Sequence, residues 1–353
     1  MPSVLVDIYK TKDINSGLGQ FSYHFARAIS GCVPKDFDLN FLIPKGFDTW
    51  PGESIHFQEA NFQHRYLPAL NRRYDLWHAL HQFPSHLPNK HSPFILTIHD
   101  LNFLLEKSPS KAASYLKTLQ KNVDRAAAIT VISDYSKNMV SQHLTLGNKP
   151  LFRIYNGVQV SAFPAAPKPD FVKNGSFFFS LGIISAKKNF HTLLPIMNQF
   201  KDFQLIIAGN KNTAYAKAIE KQIQALHLED QIILPGKITE QEKYWLYAHC
   251  KAFLFPSLAE GFGLPMIEAM LLGKPVFAST HTCLPEIGGD FAFYWEDFNS
   301  EYMAEVLKTK LAYFDQNHAQ LSEKIRTYAQ KFSWQHCIQQ YLELYQAAIN
   351  GKM

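Results

Sequence analysis

The sequence predicts an α/β protein with two parallel-sheet domains that face each other across a cleft. Both halves of the chain alternate short apolar runs, typical of buried parallel strands, with stretches of helical spacing. The length of 353 residues suits two domains of roughly 150 residues each. Between the halves lies AFPAAPKPDF, over 162–171. Its prolines are typical of a stiff linker.

Charge and cysteine content narrow the classes of protein. The net charge is +5, and all of the excess lies in residues 1–160, with 17 Lys+Arg against 12 Asp+Glu. Such a half can attract an acidic acceptor or an anionic membrane. Nucleic acid is disfavoured because no recognised binding module accompanies it. The four cysteines form no C-x-x-C pair, which argues against zinc and disulfides. With no signal peptide or membrane span in view, we expect a cytoplasmic protein.

The chain opens with a predicted strand over 4–8 and a predicted helix over 21–29. Between them, NSGLGQ carries Gly17 and Gly19 but has Ser22 where a dinucleotide fingerprint has its third glycine. The stretch fits a tight turn and fits a ligand loop equally. A second strand is predicted over 41–43, and a long irregular region follows it.

Basic and aromatic residues are interleaved over 61–88, where Arg65, Arg72 and Arg73 alternate with Phe62, Tyr66 and other apolar side chains. This pattern suits contact with a membrane interface, a lipid headgroup or a polyanion. It suits a packed amphipathic helix just as well.

A strand predicted over 94–98 delivers His99 to its carboxyl end. In open α/β sheets that end lines the ligand crevice, so a histidine there is placed for chemistry. Two further strands are predicted over 129–132 and 151–154. Ser133, between the first of these and a helix, is expected to be a helix cap.

The second half repeats the alternation. One predicted strand, 177–181, ends in Gly182, and another, 204–208, ends in Gly209. Lys187 and Lys188 follow the first of these strands, where their charge can neutralise a diphosphate leaving group. Further on, Thr239 and Glu242 have the spacing of a capping box.

The stretch EGFGLPMIEA, over 260–269, carries the strongest functional signal. Glycines at its turn allow close backbone approach, and Pro265 is typical of a helix start. Free N–H groups at such a helix start attract phosphate oxygens. Glu260 and Glu268 flank the turn, where carboxylates can accept hydrogen bonds from hydroxyls. A diphosphate together with hydroxyls describes a sugar nucleotide.

The stretch resembles the donor site of retaining glycosyltransferases of the two-Rossmann-domain (GT-B) type, family 4, whose hallmark is EGFGLPxxEA. LTIHDL around His99, the lysine at Lys188 and the NGV at 156–158 are similar to other landmarks of that family. The resemblance implies a donor-binding second domain over 170–334. It also implies an acceptor-binding first domain over 1–162, against which a C-terminal helix over 335–353 packs.

The resemblance assigns roles residue by residue. Glu260, Lys188 and His99 would be catalytic, with Glu260 and His99 on the donor sugar and Lys188, helped by Lys187, on the departing diphosphate. Glu268 would bind the ribose hydroxyls, and closure of the two domains would complete the site. The remaining donor-binding positions are Gly17, Gly19, Gly182, Gly209, Gly261, Phe262, Gly263 and Leu264.

The chain departs from the family pattern at one position of the phosphate clamp, where many family members carry an arginine and this chain has Ile183.

The implied reaction is retaining transfer of a hexose from a nucleoside diphosphate sugar to a hydroxyl of a glycan or lipid-linked glycan. GDP-mannose is the favoured donor, and surface polysaccharide or lipopolysaccharide synthesis is the favoured pathway. No metal or cofactor is expected. Two alternatives stay open: a sugar-nucleotide epimerase on the same fold and a non-catalytic binding subunit.

Overall fold

The computed structural model describes residues 1–14, 16–34, 37–50 and 55–351, so Asn15 of the NSGLGQ stretch lies outside the described residues. The chain divides into two compact units. The first comprises Met1–Gly157 and Phe332–Met353, and the second comprises Val158–Lys331. The sequence-based boundaries lie a few residues further along the chain.

The first unit is a parallel sheet flanked by helices. Its strands are β1 (Ser3–Asp7), β2 (Asp38–Ile43), β3 (Ile55–Glu59), β4 (Leu76–Ala79), β5 (Phe94–Ile98), β6 (Ala128–Val131) and β7 (Leu151–Arg153). Its helices are α1 (Gly17–Ser30), α2 (Phe62–Tyr66), α3 (Phe103–Glu106), α4 (Pro109–Arg125), α5 (Asp134–His143) and, at the C-terminus, α13 (Trp334–Ile349). The strand order is β3-β2-β1-β4-β5-β6-β7, so the order reverses between β1 and β4.

The C-terminal helix α13 belongs to the core of the first unit. Its apolar face, which includes Ile338 and Tyr341, is buried with side chains of α1 and the sheet. The Tyr345 hydroxyl lies 2.5 Å from Nδ1 of His78, whose Nε2 lies 2.7 Å from the Thr97 hydroxyl. The helix is therefore fixed to the sheet by packing and by a buried polar chain.

The prediction of a long irregular region after 43 is wrong. Strands β3 and β4 lie within it, and β4 pairs with both β1 and β5. All four residues of β4 are buried. His78 is tolerated among them because each of its two ring nitrogens has a hydrogen-bond partner. The predicted cap is confirmed, since the Ser133 side chain accepts a hydrogen bond from the Ser136 N–H.

The second unit has the same construction. Its strands are β8 (Ser176–Leu181), β9 (Phe203–Ala208), β10 (Ile232–Gly236), β11 (Ala252–Phe255), β12 (Val276–Ser279) and β13 (Phe293–Trp295). Its helices are α6 (Leu193–Ile196), α7 (Ala214–Ala225), α8 (Glu240–His249), α9 (Leu264–Leu271), α10 (Leu284–Gly288), α11 (Ser300–Gln316) and α12 (His318–Ala329). All pairings are parallel, in the order β10-β9-β8-β11-β12-β13.

Two parallel sheets, one in each unit, confirm the predicted fold class. The capping box is also confirmed, because Thr239 accepts from the Glu242 N–H and the Glu242 carboxylate accepts from the Thr239 N–H. Across the described part of the chain, no helix combines the length and apolar character needed to cross a bilayer.

Candidate functional site

The candidate site lies where the strand order of the second sheet reverses. Strand β8 pairs with β9 on one side and with β11 on the other. In open α/β sheets, ligands bind beyond the carboxyl ends of the strands at such a reversal. The loop after β8 carries Lys187 and Lys188, and the loop after β11 carries Glu260. Two segments that are distant in sequence therefore meet at the carboxyl ends of neighbouring strands.

Two glycines let the backbones at these strand ends come together. Gly182 follows β8 and Gly209 follows β9, with φ of 150° and 140°. A Cβ on Gly209 would lie 1.9 Å from the Gly182 carbonyl oxygen, which no side chain can tolerate. On Gly182, a Cβ would lie 2.9 Å from Cε of Lys188. The lysine stem thus lies directly over the glycine backbone.

An ion pair joins the two loops. Lys188 Nζ lies 2.5 Å from Glu260 Oε1, and their side chains are only 11% and 13% exposed. The Ser257 hydroxyl donates to the same carboxylate oxygen at 2.5 Å. The Lys188 ammonium also lies 4.9 Å from the centre of the Phe255 ring. A nearly buried charge pair of this kind is costly to maintain without good geometry and further hydrogen bonds.

Backbone contacts hold the Glu260 turn in place. The carbonyl oxygen of Lys187 accepts from the Leu258 N–H at 2.7 Å and from the Ser257 hydroxyl at 3.2 Å. On the other side, the Glu260 N–H donates to the Thr282 hydroxyl at 3.1 Å. The carboxylate is therefore fixed by its own backbone as well as by Lys188.

Two buried polar atoms flank the lysine pair without a partner among the described residues. They are Oγ of Ser185 and Nδ2 of Asn189. Asn189 has a left-handed backbone, with φ of 57°. Unsatisfied buried polar atoms in a native structure call for an explanation, and a bound polar ligand is one. Their position beside Lys187 and Lys188 suits an oxygen-rich anion.

The helix after the glycine turn begins one residue before Pro265. Helix α9 starts at Leu264, with Pro265 in its first turn and Gly263 as the N-cap, at φ of 93°. This left-handed φ favours glycine, and a Cβ on Gly263 would also lie 2.9 Å from Cδ2 of Leu284. Phe262 is buried and Gly261 is half-buried. The donor-binding roles of Gly261, Phe262, Gly263 and Leu264 stay predictions.

Glu268 of α9 is held by two residues of α8. Its Oε1 lies 3.1 Å from Lys243 Nζ, and its Oε2 accepts from the Tyr247 hydroxyl at 2.9 Å. Burial alone would lower the pKa of Lys243, but the Glu268 and Glu240 carboxylates outweigh it and the pKa rises. Burial, and then Glu268, raises the pKa of Tyr247. The carboxylate is thus oriented by two donors, and ionised carboxylates offer about four acceptor positions.

Ile183 is an exposed apolar residue beside the candidate site. Its side chain is 53% exposed, directly after Gly182. The family resemblance implies an arginine at this position, and this chain has isoleucine there instead. The loop after β8 carries two cations, Lys187 and Lys188.

His99 lies at the carboxyl end of β5 in the first unit, as predicted, and is buried. Its Nε2–H donates to the Leu80 carbonyl oxygen at 2.7 Å, and its ring makes a T-shaped contact with the ring of Phe21. Burial lowers the pKa of His99 to about 4. The imidazole is therefore neutral at pH 7, and Nδ1 is its acceptor nitrogen. The predicted role of His99 on the donor sugar stays a prediction.

Gly17 and Gly19 lie inside the first turn of α1, which begins four residues earlier than predicted. The Ser16 side chain caps this helix by accepting from the Gly19 N–H at 3.0 Å. A Cβ on Gly19 would collide with the Asp13 carbonyl, whereas Gly17 has open space around it. Gly19 is thus explained by packing, and ligand binding by either glycine stays a prediction.

Four residues that shape the site were not predicted from the sequence, namely Ser257, Thr282, Lys243 and Tyr247. The first two bond to groups of Glu260 from other positions beyond the carboxyl ends of the strands. Lys243 and Tyr247 are four apart on α8 and so face the same side of that helix. That spacing was a readable signal, but its target, 25 and 21 residues further on, was not.

Comparisons with known proteins give two family matches and several relatives. The pattern of the family described as "Glycosyl transferases group 1" matches residues 164–332, and that of "Glycosyltransferase Family 4" matches 41–162. O-antigen chain mannosyltransferase B of Escherichia coli is 26% identical over 280 residues, which cover 74% of this chain and 72% of that protein.

Solved structures share the fold. Sucrose-phosphate synthase from Thermosynechococcus elongatus superposes with a TM-score of 0.77 at 17% identity, covering 99% of this chain and all of that one. HepE of Anabaena, solved with UDP and glucose, gives a TM-score of 0.71 at 18% identity, covering 98% of this chain and all of that one. At these identities the likeness establishes the fold alone.

Proposed function

The chain belongs to the group 1, family 4 glycosyltransferases, and on that premise we propose that it transfers mannose from GDP-mannose to a glycan hydroxyl with retention of configuration. The acceptor is a glycan or lipid-linked glycan of surface polysaccharide or lipopolysaccharide synthesis. The enzyme works in the cytoplasm, at the inner face of the membrane.

The observation that carries this proposal is the Lys188–Glu260 pair at the reversal point of the second sheet. In the proposed complex, the diphosphate takes the place beside the Lys188 ammonium, and the Glu260 carboxylate turns its acceptor positions to the sugar hydroxyls. Lys188 then stabilises the negative charge that grows on the leaving phosphate. Lys187, Ser185 and Asn189 add a cation and hydrogen-bonding groups on the same loop.

Retention follows in this proposal from a reaction on one face of the sugar. The glycosidic bond to the phosphate oxygen breaks, the acceptor oxygen bonds to the anomeric carbon, and the leaving phosphate takes the acceptor proton. No side chain then needs to act as a covalent nucleophile. Lysines and a helix start supply positive charge, so we also propose that no metal is required.

Mannose is favoured by two features, one in the sequence and one among the relatives. His99 followed by Asp100, and the lysine-asparagine turn at Lys188 and Asn189, resemble those of mannosyltransferases in surface-polysaccharide pathways. The Escherichia coli relative is an O-antigen chain mannosyltransferase. Both features support the proposal at the level of family likeness, so the donor has to be tested directly.

A transfer assay with GDP-[14C]mannose and a synthetic mannoside, octyl α-mannoside, tests the proposal. We expect GDP release and an α-linked disaccharide product, identified by NMR. Lys188→Met and Glu260→Gln should each lower kcat by about 10²–10³-fold, the usual effect of removing a group aimed at developing charge. The control is Lys251→Met, which removes the exposed ion pair to Asp315 (2.7 Å) and should leave kcat unchanged.

The assay also separates the alternatives. A β-linked product would exclude retention, and full activity of both site variants would exclude the assigned residues. An epimerase would convert the donor sugar without any acceptor product. A non-catalytic subunit would bind nucleotide without turnover, and Ile183 in the phosphate clamp is the feature that favours it.

A further inference from the structure

One surface segment of the first unit, residues 61–73, has its polarity reversed. It contains helix α2 and a 3₁₀ turn, Pro68–Leu70. Its two buried residues are polar, His64 and Asn71. Its large apolar side chains face solvent, with exposed fractions of 69% for Phe62, 57% for Tyr66, 45% for Leu67 and 65% for Leu70. Surface segments ordinarily bury such groups and expose polar ones.

Hydrogen bonds fix this conformation. Asn71 Nδ2 donates to the His64 carbonyl at 3.3 Å and to the Leu87 carbonyl at 3.0 Å. Asn89 Nδ2 donates to the Ala69 carbonyl at 2.6 Å, and Gln63 Nε2 donates to the Leu70 carbonyl at 2.8 Å. The fold therefore holds the apolar side chains outward.

The two exposed rings of the segment are adjacent, and arginines lie close to them in space or in sequence. The Phe62 and Tyr66 rings lie 4.7 Å apart, and the Arg65 guanidinium lies 5.2 Å from the Tyr66 ring. Arg72 and Arg73 follow and are exposed, and the sequence has no Asp or Glu from 60 to 74. Apolar and aromatic side chains bordered by arginines suit an interface between hydrocarbon and anionic headgroups.

We propose that the segment 61–73 docks the protein onto an anionic lipid bilayer, with Phe62, Tyr66, Leu67 and Leu70 inserted and Arg65, Arg72 and Arg73 at the phosphates. A second copy of the chain is a poorer occupant, because a two-fold dimer places the same patch on itself. Its arginines would then face each other. The bilayer supplies the opposite charge.

The docking surface is narrower than the 61–88 region suggested by sequence. Leu76, Trp77 and Leu80 are fully buried in the core of the first unit and cannot reach a membrane. Where the acceptor is lipid-linked, docking would bring the enzyme to its substrate, and that link rests on the proposed function. The binding of lipid itself does not rest on it.

The test is sedimentation of the full chain with phosphatidylglycerol-containing vesicles and with phosphatidylcholine vesicles. We expect binding to the anionic vesicles only. Phe62→Ser with Leu70→Ser should weaken binding at least about tenfold. Replacing Arg65, Arg72 and Arg73 by Gln should weaken it roughly fivefold per residue. The matched control, Leu105→Ser with Tyr313→Ser, removes side chains that are 62% and 50% exposed elsewhere and should bind like the wild type.

Several results would overturn the proposal. They are equal binding to both vesicle types, no binding to either, and equal losses in the Phe62/Leu70 variant and in the control. Self-association that the Phe62/Leu70 variant abolishes would identify a second copy as the occupant instead. GDP-mannose affinity, measured without vesicles, should be unchanged in this variant. Absent nucleotide binding with intact vesicle binding would refute the proposed function and leave the docking surface standing.

Discussion

Lys188 Nζ and Glu260 Oε1 meet at 2.5 Å although the two residues are 72 positions apart in the chain. Each side chain is nearly buried, and each comes from a different loop at the point where the strand order reverses. Each charge is therefore matched by the other in the folded protein. A bound donor would have to share or replace that contact.

The first prediction concerns stability at this pair. Lys188→Met alone and Glu260→Gln alone should each lower the free energy of unfolding by up to about 3 kcal/mol, because each leaves a partner charge in a poorly solvated place. The double variant should be more stable than the two separate losses imply, with a coupling on the order of 1–3 kcal/mol. Urea unfolding of the four proteins measures this coupling. Strict additivity would mean that the pair is not formed in solution.

The second prediction concerns the residues that orient Glu268. Tyr247→Phe keeps the ring packing and removes the hydroxyl, and Lys243→Met removes the ammonium. Each should raise the KM for the donor about 5–10-fold with little change in kcat, because both act on the ground state and the transition state alike. Lys243→Arg should recover most of the affinity. Both groups act through Glu268, so combining either variant with Glu268→Gln should raise the donor KM little beyond the effect of Glu268→Gln alone. Fully additive effects on KM would contradict the proposal that these residues orient Glu268.

The third prediction concerns pH. Burial lowers the pKa of His78 and His81 to about 3 and that of His99 to about 4, against 6.5 when unfolded. The unfolded chain therefore binds more protons than the folded one as pH falls below 6.5. Above pH 6.5 these histidines therefore do not lower the free energy of unfolding. Below pH 6.5 they lower it progressively, down to pH 3–4. Each histidine costs up to about 1.4 kcal/mol per pH unit.

Hydrogen exchange, corrected for the intrinsic rate, measures this effect within each unit. Protection of β4 and β5 should fall more steeply between pH 7 and pH 5 than protection of β8 and β9. His78→Gln should reduce the slope in the first unit, whereas His143→Gln, on the exposed end of α5, should not. Equal slopes in both units would show that these histidines do not govern the acid stability.

The fourth prediction concerns Ile183. An arginine at this exposed position would add a cation beside Lys187 and Lys188, so Ile183→Arg should raise GDP-mannose affinity about tenfold, the order expected for a charged hydrogen bond to phosphate. Ile183→Gln is the control for size and polarity without charge. Calorimetric titration compares the three proteins. Equal affinity in all of them would place residue 183 outside the phosphate contact.

The sequence was most informative where local chemistry repeats a known pattern. Alternating apolar runs predicted the parallel sheets, and EGFGLPMIEA predicted a glycine turn with a helix start and two carboxylates. The ion pair could not be predicted, because nothing local at Lys188 indicates Glu260. Strand β4 was missed for the same reason: His78 is buried only because Tyr345 and Thr97, 267 and 19 positions away, satisfy both of its nitrogens.

The reversed polarity of 61–73 shows the same limit. The sequence leaves both membrane contact and a packed amphipathic helix open. Which side chains face solvent depends on Asn71 and Asn89, whose amides bond to carbonyls up to 20 positions away. Polar groups that satisfy distant backbone are invisible to periodicity.

The most direct measurement is calorimetric titration of the full chain with GDP, UDP and ADP, and then with GDP-mannose, for the wild type and for Lys188→Met. We expect GDP to bind at least about tenfold more tightly than UDP or ADP. We also expect GDP-mannose to bind the wild type and Lys188→Met to lose at least about tenfold in affinity for it. Preference for UDP or ADP, or equal affinity of the wild type and Lys188→Met, would contradict a GDP-mannose site built on Lys188 and Glu260.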